Sequence, residues 1–223
     1  MRFELIDLGG SRSAAAGDAL LNLASAGADT TLVIGGDAPA RARALDQIDL
    51  AAKRAVLVEL GAECLAFHTG EDVPAEEKVL GFARFRLGAL PASALVELVR
   101  QPSTSADALA AAQSLFEQAG LQVSVCADVP GRIVDGLLRP YLNSALRSVD
   151  EGLAAAADLD QALRLGLGYP MGPIQMLEES GLEAHFQVSS ELHEATGIAP
   201  FVPARRARVL ALRKAAGLGR RET

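Results

Sequence analysis

The chain has 223 residues, half of them hydrophobic and none of them tryptophan, enough apolar sequence to bury the core of one or two compact domains. A net charge of −7 and a pI near 5.0 exclude a nucleic-acid-binding face, which needs clustered lysine and arginine to displace counterions from phosphates. No run reaches the roughly 18 uninterrupted apolar residues of a membrane span, and Cys64 and Cys126 read as small buried hydrophobes rather than a disulfide framework, so a cytoplasmic protein without membrane contact is expected.

The first half alternates short β-branched apolar runs with alanine-rich stretches, the pattern of a mostly parallel sheet covered by helices. Strands are predicted at Phe3–Leu8, Thr31–Ile34, Val56–Leu60, Cys64–Phe67, Val79–Phe82 and Gln122–Cys126. Helices are predicted at Ala14–Ala26, Ala40–Lys53, Ala92–Arg100 and Ala106–Ala119, the last opened by Ser105 or Thr104 and closed by Gly120. Residues 57–67 admit a second reading, a hairpin turning at Gly61-Ala62.

Beyond Asp128-Val129-Pro130-Gly131 the apolar period becomes 3.6, with Ile133, Val134, Leu137, Leu138, Tyr141, Leu142, Ala145, Leu146 and Val149 on one stripe and Pro140 inside it. Further helices are expected at Leu159–Leu165 after an Asp158 cap, at Pro173–Thr196, either continuous or broken near Gly181, and at Pro203–Ala216. Two domains follow: an α/β N-terminal lobe over 1–128, short and Rossmann-like, and an all-α domain over 129–223. Arg205, Arg206, Arg208, Arg213 and Lys214 read as a solvated helix face, with a site for a phosphate-rich ligand as the other reading. His185 and His193 are expected at the surface, and no metal site is expected.

The string Asp128-Val-Pro-Gly-Arg-Ile-Val-Asp135-Gly-Leu-Leu-Arg-Pro140-Tyr-Leu-Asn143 resembles the passage from cofactor domain to C-terminal domain in the 3-hydroxyacyl-CoA dehydrogenase family. Asp158-Leu-Asp160 and Gly168-Tyr-Pro-Met-Gly-Pro173 resemble that family's paired-acid helix start and its Gly-Tyr-Pro-Met-Gly-Pro loop. Leu95-Val-Glu97-Leu-Val-Arg100 is similar to the segment that carries the family's catalytic glutamate, and Phe67-His68-Thr69-Gly70 lies where the family has an Asn-Thr-Ser turn. The resemblance runs from about residue 55 to 221, and the chain is similar to the second, degenerate copy found in duplicated bacterial members. Leu218–Thr223 stands where the family continues into a Gly-Phe-Tyr tail.

Oxidation of a 3-hydroxyacyl-CoA removes a hydroxyl proton while hydride leaves for a nicotinamide, and the family uses a histidine oriented by a glutamate for the proton. Counting back twelve positions from Glu97, the spacing the resemblance implies, lands on Phe85, and an alignment on Gly81 lands on Ala83. Neither carries a base. The resemblance leaves Glu97 as the catalytic residue, His68 as a substitute base, and Thr69, Gly70 and Asp135 at the substrate, with Gly70 in place of a serine and Asp135 in place of an asparagine amide.

NAD is the cofactor the resemblance implies. Dinucleotide binding wants Gly-x-Gly-x-x-Gly after the first strand, and this chain offers only Gly9-Gly10 there. Three functions stay open: a catalytically degenerate, acyl-CoA-binding or accessory homologue; an NAD-dependent dehydrogenase with a His68–Glu97 dyad; and a plain dimerisation module. The apolar stripes of the helical half, with Leu137, Tyr141, Ile174, Leu177, Val209 and Leu212, point to a homodimer.

Overall fold

Six strands form one sheet whose spatial order follows the chain: β1 (Glu4–Asp7), β2 (Thr30–Ile34), β3 (Ala55–Glu59), β4 (Val79–Arg84), β5 (Leu95–Arg100) and β6 (Gln122–Ala127). The first four are parallel, β5 runs antiparallel to β4, and β6 is parallel to β5. In the computed structural model the described residues are 1–72 and 74–218. They divide into two compact units: residues 1–86 with 92–133, and residues 87–91 with the chain from Val134 onward.

The N-terminal unit is α/β. Strands β2, β3 and β4 are buried along their whole length, as expected of central parallel strands that carry apolar side chains on both faces. One face, with Phe3, Leu32, Leu57, Leu80 and Leu98, packs on Ala108, Ala111, Leu115 and Phe116 of α3 (Ala106–Gln118). The other, with Val33, Val56, Val58 and Val99, packs on Leu45 of α1 (Ala38–Leu45) and on Leu65.

Several local expectations are corrected. Ala14–Ala26 forms only a 3-10 turn at Ala19–Leu23, opened by Asp18. The helix expected to Lys53 ends at Leu45, and a second Asp-capped turn, Leu50–Ala52, follows. Cys64–Phe67 is neither a strand nor half of a hairpin. The Asp128 carboxylate accepts the N–H groups of Leu65 and Ala66 at 2.6 and 2.8 Å and so opens a short helix, α2 (Ala66–Thr69). Ala92–Arg100, expected as a helix, contains β5, with Val96 to Val99 all buried in the sheet. The antiparallel pair therefore lies between β4 and β5.

The second unit is helical: α4 (Val134–Asp150), α5 (Ala156–Leu167), α6 (Pro173–Ser180), α7 (Leu182–Thr196) and α8 (Arg205–Ala215). Gly181, at φ +90°, breaks Pro173–Thr196 in two. Asp158 sits in the first turn of α5 and not at its cap, which is Ala155. The carboxylate that does cap is Asp160, which accepts the Ile174 and Gln175 amides at the start of α6, both at 2.8 Å. His185 is corrected from surface to core, 1% exposed. On α8, Arg206 pairs with Asp150 at 3.1 Å and Lys214 with Glu183, while Arg205 and Arg208 are exposed. Among the described residues no helix is long and apolar enough to cross a membrane. The sequence run 219–223 lies outside the described residues.

Candidate functional site

Glu97 projects from β5 opposite Ala83, its partner in register. Its Oε1 accepts the Ile133 N–H at 2.8 Å and its Oε2 lies 3.6 Å from Arg132 Nε, with the side chain only 3% exposed. Arg132 in turn donates to the Gly61 carbonyl at 2.9 Å. The carboxylate thus fastens the segment that leaves β6. At the two positions from which a histidine base was expected stand Ala83, buried in β4, and Phe85, whose carbonyl accepts the Ser93 amide.

His68 does not form a dyad with Glu97. Its Nε2 lies 3.4 Å from Glu63, its side chain is fully buried, and its Nδ1 has no partner. Glu63 also takes Arg41 at 2.6 Å and the Gly61 amide at 3.0 Å. Burial works to raise the Glu63 pKa, but the bond to His68 and the Arg41 guanidinium outweigh it and hold the group at about 2. Arg41 spends its other arm on the carbonyls of Gly35 and Gly36. His68 is therefore one member of a buried ion-pair group, with no face open to a substrate.

Thr69 and Gly70 close α2 near the far end of β5: Thr69 Oγ1 donates to Gln101 Oε1 at 2.9 Å, and Gln101 Nε2 donates to the Gly70 carbonyl at 3.2 Å. Because β5 is antiparallel to β4, with Val99 opposite Gly81, Gln101 lies toward the amino edge of the parallel strands. Ligands of such sheets bind at the carboxyl edge. The other two histidines lie in the helical unit, where His193 Nδ1 is 3.2 Å from the Ile198 carbonyl.

Asp135 belongs to a buried polar line in that unit. It accepts Arg139 Nε at 2.7 Å; Arg139 Nη1 lies 3.4 Å from His185 Nδ1; His185 Nε2 is 2.9 Å from Asn143 Oδ1. Asn143 Nδ2 then reaches the carbonyls of Pro200 and Phe201. Burial first, then the Arg139 charge, press the His185 pKa down to about 3, so the ring is neutral and accepts from Arg139 while donating to Asn143. At Asp135 the anion is matched by Arg139, and it is not presented as an amide donor would be.

The carboxyl edge of β1–β4 holds a feature the sequence reading missed. Glu59, the last residue of β3 and 3% exposed, accepts the amides of Arg12 and Ser13 on Oε1 at 2.9 and 2.7 Å and that of Gly35 on Oε2 at 2.7 Å. The expected cofactor glycines serve the same closure: Gly9 N–H bonds to Asp7, and the Gly9 carbonyl accepts the Gly36 amide at 2.7 Å. Gly35 is at φ +73°, and a Cβ there would stand 2.3 Å from the Gly9 carbonyl oxygen. The signal in the sequence was a glutamate ending an apolar strand, with Gly9-Gly10 and Gly35-Gly36 following the two strands before it.

These residues do not fit a dinucleotide. The usual site is the crevice where strand order reverses, as in 3-2-1-4-5-6, with phosphate on free amides of a glycine-rich turn. Here the order has no reversal, the Arg12 and Ser13 amides of the turn are bonded to Glu59 and that of Gly9 to Asp7, no α-helix follows β1 before β2, and Asp37, the acid after β2, caps α1 through the Ala40 amide. Among the described residues no group of three or more His, Cys, Asp or Glu side chains is placed to hold a metal ion.

Residues 131–222 match the family described as 3-hydroxyacyl-CoA dehydrogenase, C-terminal domain. The mitochondrial hydroxyacyl-coenzyme A dehydrogenase of Sus scrofa is 39% identical over 105 residues, covering 47% of this chain and 33% of that protein. A 3-hydroxybutyryl-CoA dehydrogenase of Mycobacterium tuberculosis is 37% identical over 119 residues, 53% of this chain and 41% of its own length. The crystal structure of (S)-3-hydroxybutyryl-CoA dehydrogenase from Ralstonia eutropha has a TM-score of 0.70 over 86% of this chain and 67% of that one, at 26% identity. The chain spans less than half the length of the two curated relatives. Residues 131–222 thus match the C-terminal domain of the 3-hydroxyacyl-CoA dehydrogenase family in sequence, and 86% of the chain is similar in fold to one such enzyme.

Proposed function

We propose that this chain is a catalytically degenerate member of its family, an acyl-CoA-binding or accessory homologue that performs no hydride transfer. The observation that carries the reading is the commitment of Glu97 to the Ile133 amide and Arg132, with alanine across the ladder from it and phenylalanine at position 85. Hydroxyl oxidation needs a base within hydrogen-bond reach of the substrate proton. A carboxylate engaged by a backbone amide and a guanidinium is a poor one, and His68 is enclosed against Glu63.

The purified full chain, given 3-hydroxybutyryl-CoA and NAD, is expected to form no NADH, and His68→Ala is expected to change nothing. Turnover abolished by His68→Ala would overturn the reading. Titration with acetoacetyl-CoA by calorimetry is expected to show binding; a chain that binds no CoA ester would instead be a dimerisation module.

Pairing through the helical unit is the second part of the proposal. Leu137, Leu165 and Leu212 are 73, 79 and 61% exposed there, the kind of apolar surface that a two-fold partner covers. A homodimer is expected in sedimentation, and a concentration-independent monomer would end this part.

A further inference from the structure

We infer that Glu59 is a built-in substitute for a phosphate: its carboxylate fills an amide cradle at the carboxyl edge of the sheet, so the N-terminal unit is held by an anion of its own chain and takes no dinucleotide. Three backbone N–H groups from two separate loops, those of Arg12, Ser13 and Gly35, converge on two oxygens of one side chain. Amides gathered in this way from loops after successive parallel strands form an anion site. Here the anion arrives from β3, the next strand along, and the site is shut, with Glu59 3% exposed.

The surrounding contacts lock the arrangement. Ser13, one of the donors, also takes the Arg84 amide on its Oγ at 3.1 Å, and its carbonyl accepts Arg84 Nη1 at 2.7 Å, so the loop after β1 is stitched to the end of β4 as well as β3. Ser11 Oγ accepts the Ala14 amide at 2.9 Å, which leaves that donor satisfied too. Arg84 further pairs with Asp18 at the start of the 3-10 turn. A pyrophosphate seeking these amides would have to displace a tethered carboxylate and then lie beside its negative charge.

This deepens the noncatalytic reading, and its test is separate from it. Glu59→Ala removes the anion and leaves three amides facing a void. The melting temperature is expected to fall by roughly 10 °C, and sodium formate, compared with sodium chloride at equal ionic strength, is expected to restore several degrees in the variant and none in the wild type. Calorimetric titration of the wild-type chain with NADH is expected to give no binding heat. An undiminished melting temperature in Glu59→Ala, an equal response to both salts, or micromolar NADH binding by the wild type would each overturn the inference. If Glu59→Ala does not accumulate, Glu59→Gln keeps the shape but turns an amide donor toward one of the three N–H groups. It is expected to melt lower with no formate response, and wild-type stability would overturn the inference. Failed rescue without NADH binding would sink only the role of Glu59, whereas turnover would sink the noncatalytic reading.

Discussion

Glu97 Oε1 accepts the backbone N–H of Ile133 at 2.8 Å, binding the middle of β5 to the last residue before α4. The bond gives the side chain a structural duty: it satisfies an amide just ahead of a helix and holds Arg132, whose side chain is 4% exposed. Losing an ionised acceptor from a buried donor costs about 1–3 kcal/mol, more with the guanidinium left behind. Glu97→Ala is therefore expected to lower unfolding free energy by about 3 kcal/mol in denaturant titration. Unchanged stability would show that Glu97 carries none of this load.

The Asp135–Arg139 pair gives a second test, since the two lie one helical turn apart in α4 with side chains 13 and 1% exposed. Breaking a buried pair from one side costs about 3–5 kcal/mol, while replacing both partners costs much less. Arg139→Leu is expected to be strongly destabilising, and Asp135→Asn added to it to recover more than half of the loss. A double-mutant cycle with a coupling energy near zero would contradict the pairing.

The helical half was legible because its signals are local. The 3.6 period, Gly181 and the proline that starts α6 each mark an element from within a few residues of it. The errors came where distant groups decide. Leu95–Arg100 lacks the alternation of a half-buried strand because Val96, Leu98 and Val99 serve both faces of a covered sheet. Residues 66–69 became helical through Asp128, over sixty positions away. His185 looked solvated among Glu183, Gln187 and Glu191, yet its partners Arg139 and Asn143 come from α4. The resemblance alone supplied Phe85, Gly70 and Asp135 as departures from the family's pattern, and nothing local in the sequence marked the role of Glu59, the residue that closes the carboxyl edge. Its three donors are brought together only by the parallel register of β1, β2 and β3.

Asp160 and Gly172 supply a third prediction. Asp160 caps α6 with both oxygens, and a Cβ on Gly172 would stand 2.2 to 2.4 Å from the Asp160 carboxylate and its Cβ. Asp160→Ala is expected to cost about 1–2 kcal/mol. Gly172→Ala is expected to cost at least as much, because it forces the capping residue away; adding Gly172→Ala to Asp160→Gly, which removes both the carboxylate and the Cβ, should then cost little. Additive losses in thermal unfolding would show the two effects to be independent.

Acid stability follows from His185 and Glu63. For His185, pressed to about 3 when folded against an ordinary 6.5, the unfolded chain binds a proton that the folded chain refuses. Its contribution is complete above pH 6.5 and drains away as pH falls through that value toward 3, at up to about 1.4 kcal/mol per pH unit. Glu63, held at about 2 against 4.5, contributes fully above 4.5 and loses its part as pH falls from there to 2. Both slopes have the same sign and overlap between pH 4.5 and 3, so stability should decline gently from pH 6.5 and more steeply below 4.5. His185→Gln is expected to lower stability at pH 7, where it disturbs the bonds to Arg139 and Asn143, yet to flatten the decline between pH 6.5 and 4.5. A variant with an unaltered slope in that window, measured by urea unfolding at a series of pH values, would mean that His185 is not the group whose proton is excluded by folding.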